Sequence, residues 1–131
     1  MDIKLTHKKV ESLTIRSVVD GELEQEKEFH INIGSTIYSH KSKKNIVRIR
    51  YPVTLNVKDK VSVSMDYDFY FALSEEVTEE FNDSVTAKKN APAIAFPYIK
   101  IYLDNVLAMS GYKDIEVPFI DFNKDPFEFD K

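Results

Sequence analysis

His7, His30 and His40 are the three imidazoles of the chain, and there is no cysteine to join them. Ligands that preorganise a metal site usually sit at close helical (i, i+4) or strand (i, i+2) spacing, and no pair of these histidines does. The expectation is therefore no metal and no cofactor. Without cysteine there is neither a thiolate nucleophile nor a disulfide framework. Carboxylates crowd the segment SEEVTEEFND, but acids on an exposed helix face ordinarily make a solubilising surface. General acid/base work needs a pocket that shifts a pKa, and nothing in the segment supplies one. With three glycines, no phosphate-cradling loop and no serine elbow is present. These observations point away from an enzyme.

Two other groups of residues could recognise a partner. The run HKSKKNIVRIR gathers His40, Lys41, Lys43, Lys44, Arg48 and Arg50, a set able to meet an acidic partner or RNA. The formal charge of -4 disfavours nucleic acid, and positive residues beside a strand also discourage strand-to-strand aggregation. That second reading is preferred. The tail carries Phe119, Phe122, Phe127 and Phe129. They either cap the core or line a groove that receives an extended chain, with Phe127 and Phe129 placed to occupy it.

The elements that must position these residues follow from hydrophobic periodicity. In NIVRIRYPVTLNV and VSVSMDYDFYFAL the apolar residues share one parity, which predicts two strands with one buried face each, joined as a hairpin through Lys58 to Lys60. The opposite parity places Asp66, Asp68, Arg48 and Arg50 on the outward face. EFHINIGSTIY predicts one strand, with Phe29, Ile31, Ile33 and Ile37 on one side, and ESLTIRSVV a less regular one closed by Asp20 and Gly21. Pro52 cannot donate to a ladder and is expected at an edge or bulge. Four antiparallel strands result, followed by a change of period at Leu73. Ser74 is expected to cap a helix that ends near Lys89 and buries Val77, Phe81 and Val85.

The next segment, APAIAFPYIKIYLDNVLAMSG, is apolar nearly all the way round. On a wheel of about 100° per residue, Lys100 and Asp104 form a narrow polar stripe and only Asn105 interrupts the rest. Gly111 supplies a left-handed stop. One apolar face covers the sheet; the other needs the preceding helix, the tail or a second subunit, and a subunit is favoured because the preceding helix is thinly apolar.

From Ala91 to Phe122 the residues Ala91, Pro92, Phe96, Pro97, Tyr98, Gly111, Pro118 and Phe122, with Asn123 after them, resemble the SecB-type export chaperones; Glu28 to Leu73 resembles them more loosely, in strand length and order. The resemblance implies an α+β fold, a four-stranded antiparallel sheet with helices packed on one face, and a homo-oligomer, dimer or tetramer. In it, sheets join edge to edge and long helices pack between dimers. It also implies ATP-independent binding of unfolded polypeptide, linked in the family to protein transport or to antitoxins. Tyr98, Tyr112, Phe119 and Phe122 are then candidates for polypeptide contact, and Ile99, Tyr102, Leu103 and Val106 for the oligomer interface. The chain departs from the pattern at the charged crossover DGELEQEKE and after Asn123, where the family's second long helix is absent or reduced.

The length of 131 residues suits one domain, with strands within about 10–73, helices within about 74–111 and an extended apolar tail over 112–131. No window is apolar enough to cross a membrane as a helix and no leader pattern opens the chain, so a cytoplasmic location is expected. Two functions fit: a SecB-like binder of non-native polypeptide, or an oligomeric adaptor that binds one specific folded partner. Neither involves nucleic acid or membrane insertion.

Overall fold

The computed structural model describes residues 2–23, 27–122 and 124. Its strands are β1 (Ile3–Ser17), β2 (Phe29–Ile33), β3 (Thr36–Ser39), β4 (Ile46–Val57) and β5 (Val61–Leu73); its helix is α1 (Ala91–Met109). All ladders are antiparallel, in the order β1-β5-β4-β2, with β3 also on β4. The architecture is α+β, with five strands rather than the four expected.

The extra strand comes from a break at Gly34. β2 and β3 lie end to end along β4, and the Gly34 amide donates to the Pro52 carbonyl at 2.8 Å. In an antiparallel ladder a residue's N–H and C=O point the same way, so Pro52's missing donor also faces this break. A Cβ at Gly34 would lie 3.2 Å from the Pro52 ring. Proline thus sits inside an internal strand, opposite the point where the neighbouring ladder breaks.

β1 begins at Ile3, well before the expected start. Its ladder to β5 changes register between Leu5 and His7 and again between Val10 and Ser12. Each shift flips the side-chain phase, so the inward residues run Ile3, Leu5, Lys8, Val10, Leu13, Ile15. At the first bulge the Thr6 hydroxyl donates to the Tyr70 carbonyl at 3.0 Å.

The helix expected over Ser74 to Lys89 does not form. Ser74 ties strand ends instead: its amide donates to the Asp2 carbonyl at 2.9 Å and its hydroxyl accepts from the Asp2 amide at 2.7 Å. A 3-10 turn follows at Glu79–Asp83, and the helical rod starts only after Ser84, whose hydroxyl accepts from the Ala87 amide at 3.1 Å. Ser84, not Ser74, is the capping residue. A π-turn, Thr86–Asn90, leads into α1. Of the expected stripe, Phe81 is buried, Val77 half-buried and Val85 exposed. With five acids between Ser74 and Ser84, the segment has too little apolar area to hold a helix on the sheet.

α1 lies over the inner face of the sheet, burying Ala95, Phe96, Ile99, Leu103 and Leu107 against a core that includes Ile49, Tyr51, Leu55, Phe69 and Phe71. Each large side chain so buried contributes about 1.5–3 kcal/mol. The helix ends in a Schellman pair: the Tyr112 amide donates to Leu107 at 2.8 Å and the Gly111 amide to Ala108 at 3.3 Å, with Gly111 at φ +97. Among the described residues no helix is long and apolar enough to cross a membrane.

Candidate polypeptide-binding surface

After Gly111 the chain reverses and runs as an extended strap beside α1. Two residues of the helix hold it there. Lys100 Nζ donates to Asp104 at 2.7 Å, to Glu116 at 3.1 Å and to the Val117 carbonyl at 2.8 Å. The other Asp104 oxygen accepts the Val117 amide at 2.8 Å. Hydrogen bonding to Asp104, ahead of that to Glu116, raises the Lys100 ammonium above its ordinary range. Val117 and Phe122 are buried, and Phe122 meets the Phe96 ring edge-on at 5.7 Å. The polar stripe read from the sequence is therefore a tether for the strap, turned away from open solvent.

The consequence falls on the rest of the helix. Its solvent side carries Pro97, Tyr98, Ile101, Asn105, Ala108 and Met109, all exposed, with Asn105 the one polar member. Tyr98, Ile101 and Met109 are 40%, 60% and 87% exposed. Twelve steps along the helix make this face about 18 Å long. Phe119 extends it from the strap: 72% exposed, it packs its ring edge on Phe96 at 6.1 Å. Between strap and helix lies a small groove of about 150 Å³, lined by Ala93, Phe96, Pro97, Phe119, Ile120 and Phe122 together with Asp121.

On the flank toward β1, two contacts mark the ends of a crease between strand and helix. The Lys8 ammonium stands 4.7 Å from the centre of the Tyr98 ring. At the other end the Ser17 hydroxyl is hydrogen-bonded to the Tyr112 hydroxyl. Between these ends β1 presents Val10 and Ile15, half-buried, and Leu13, exposed. Tyr102 meets Tyr67 edge-on at 5.7 Å, and burial, with Tyr102 and Tyr98 close by, raises the Tyr67 phenol. Among the described residues β1 has one strand neighbour, β5, so the backbone of a 15-residue strand borders the crease on its open side. Such an edge can accept an added strand, and Lys4, Lys8 and Lys9 along it oppose indiscriminate pairing.

The four residues expected to touch polypeptide thus fall in three places. Phe119 and Phe122 share the strap groove, one open and one buried; Tyr98 is at one end of the crease and Tyr112 at the other. Of the residues expected at an oligomer interface, Ile99 and Leu103 are buried in this chain's own core and offer no surface, whereas Tyr102 and Val106 are half-buried. Sequence reasoning missed Ile101 and Met109, which carry the open face, although the i, i+4 pair Lys100 and Asp104 was a signal for the strap. Phe127, Phe129 and Asn123 lie outside the described residues.

The outer face of the sheet is different in kind. Arg48 and Arg50 are on it, as expected, but Asp68 is fully buried beneath them and only Asp66 stays partly open, accepting from the Ser12 hydroxyl at 3.3 Å. The histidines stay apart: His7 lies against the Tyr70 ring, 5.3 Å between centres, and His40 is held in the β3–β4 loop. Among the described residues no group of three or more histidines and carboxylates is placed to hold a metal ion.

No family model matches the chain, and no curated protein sequence does. Solved structures do match. A SecB-like chaperone of Mycobacterium tuberculosis, in complex with a peptide from an antitoxin, superposes with a TM-score of 0.71 at 11% identity, covering 91% of each chain. A Streptococcus agalactiae protein of unknown function gives 0.58 at 13% identity, covering 93% of this chain and 98% of its own. The fold is SecB-like.

Proposed function

We propose that this protein binds non-native polypeptide without ATP, through the open apolar face of α1 and Phe119, with the crease beside β1 contributing main-chain hydrogen bonds. The observation that carries the proposal is the orientation of α1: its charged pair is spent on the strap, and its solvent face is apolar from Pro97 to Met109. Monomeric proteins rarely leave such a face uncovered. The likeness to a SecB-like chaperone bound to an antitoxin peptide supports the same reading. Binding acts by mass action, lowering the concentration of unfolded client free to aggregate.

We also propose a homo-oligomer in which a second copy covers part of this face. One observation favours the narrower alternative, an adaptor for a single folded partner: Phe122 packs on Phe96 with the chain's own side chain, and the strap groove they line is only about 150 Å³. Anisotropy titration of a labelled, permanently unfolded polypeptide, with the same protein in its folded form as control and light scattering to fix the assembly state, separates the two. Saturable binding of the unfolded form alone is expected. Binding of neither form, at concentrations where the assembly is complete, contradicts the proposal and leaves the adaptor.

A further inference from the structure

A groove of about 330 Å³ opens on the outer face of the sheet, lined by Tyr38, Ser39, His40, Lys41, Ile46, Arg48 and Tyr70. None of these carries a carboxylate. The nearest acid on this part of the face is Asp68, and it is already engaged: Arg50 donates to it twice, at 2.8 and 3.1 Å, and Arg48 once, at 3.3 Å. One buried carboxylate therefore bonds two guanidiniums, and Asp66 acts on Arg50 as well. Arg50 takes the better-formed share. Arg48, with a single contact to Asp68 and its guanidinium stacked 4.1 Å from the centre of the Tyr38 ring, keeps most of its five donors for something else.

The loop beside it adds donors of the same sense. His40 Nδ1 accepts the amides of Ser42 at 3.1 Å and Lys43 at 2.9 Å, so the proton of the neutral ring is on Nε2. Lys41 contributes an exposed ammonium. Asp66 lies two pairs further along the β4–β5 ladder, beyond Arg50, and does not line the groove. The groove is thus rich in donors, carries positive charge and has aromatic and aliphatic walls in Tyr38, Tyr70 and Ile46.

We propose that this groove docks an acidic segment of a protein partner, seating a glutamate or aspartate carboxylate on Arg48 with Lys41 beside it and an apolar neighbour against Tyr38 and Tyr70. A nucleic acid fits less well. Ser39 lines both this groove and a neighbouring hollow that holds Glu79, so a continuous phosphate chain leaving the groove on that side meets acid. A short acidic segment has no such obligation. The site is on the sheet face opposite α1 and does not depend on polypeptide binding there.

The test is anisotropy titration of the whole protein with a fluorescein-labelled peptide alternating glutamate and leucine. Controls are its glutamine counterpart and a labelled single-stranded oligonucleotide of equal charge. Expected are saturable binding of the glutamate peptide that weakens as salt rises, at least tenfold weaker binding of the glutamine peptide, and backbone amide shifts concentrated over residues 38–48 and at Tyr70. Lys41→Glu, which leaves the Asp68 network intact, weakens binding several-fold, and Arg48→Gln weakens it further. Equal binding of the two peptides, tighter binding of the oligonucleotide, full affinity in Lys41→Glu, or amide shifts confined to the helix face each overturn the proposal.

Discussion

The two flanks of α1 end in opposite conditions. On one, Lys100 and Asp104 grip the strap, Val117 is buried and Phe122 closes over Phe96. On the other, Tyr98, Ile101 and Met109 stand in solvent. The helix has one strap to spend, and the charged pair decides where it goes. An apolar stripe is therefore not by itself a core: what matters is whether a tether brings a second layer to it.

The comparison breaks most severely at Phe96, which serves both core and strap. Phe96→Ala is expected to cost about 3–5 kcal/mol, with the midpoint of urea unfolding as the readout. At the tether, Asp104→Ala leaves the Val117 amide without its acceptor and removes one of the three bonds made by Lys100, at a cost of about 1–3 kcal/mol. Its sharper signature is faster hydrogen exchange at Val117 than in the core strands. Gly111→Ala forces a side chain into φ +97 and is expected to cost about 1 kcal/mol, seen in the thermal midpoint. On the open flank, Ile101→Glu changes the stability of the isolated chain by no more than about 0.5 kcal/mol, because no core contact is lost.

Alkaline pH sharpens the same contrast. Lys100 has a raised folded-state pKa through its bonds to Asp104 and Glu116, and burial raises the Tyr51 phenol. A raised value means that the folded state holds its proton longer than the unfolded one. The associated stability is full below the unfolded values and is lost as pH rises through the folded ones. Unfolding free energy is therefore expected to stay level through neutral pH and fall above about 10. In Lys100→Met that fall is shallower and the strap amides exchange faster at every pH.

Much of this was legible from residue order, and the misses have physical causes. β4 and β5 alternate strictly, so their faces and pairing could be read directly. β1 alternates in three short phases separated by bulges, and its first phase, Ile3 and Leu5, is too brief to register as a strand. Gly34 reads as an ordinary residue within a strand until Pro52 is placed opposite it. Ser74 and Ser84 are equally good caps by type; the acids between them, with only Phe81 well buried, select the later one. Asp68 reads as an outward acid by parity, which it is, but parity does not tell that Arg48 and Arg50 close over it. Lys100 and Asp104 were legible as a polar stripe and not as the tether of the strap, and the openness of Ile101 and Met109 depends on which flank the strap takes.

The central claim is that the open flank of α1 holds non-native polypeptide. The most direct measurement titrates the permanently unfolded polypeptide against the wild-type protein and the Ile101→Glu/Met109→Glu variant, both first shown to be folded by their amide spectra. The account predicts saturable binding by the wild type and at least tenfold weaker binding by the variant. Undiminished affinity in the folded variant contradicts it and moves the binding surface elsewhere on the molecule.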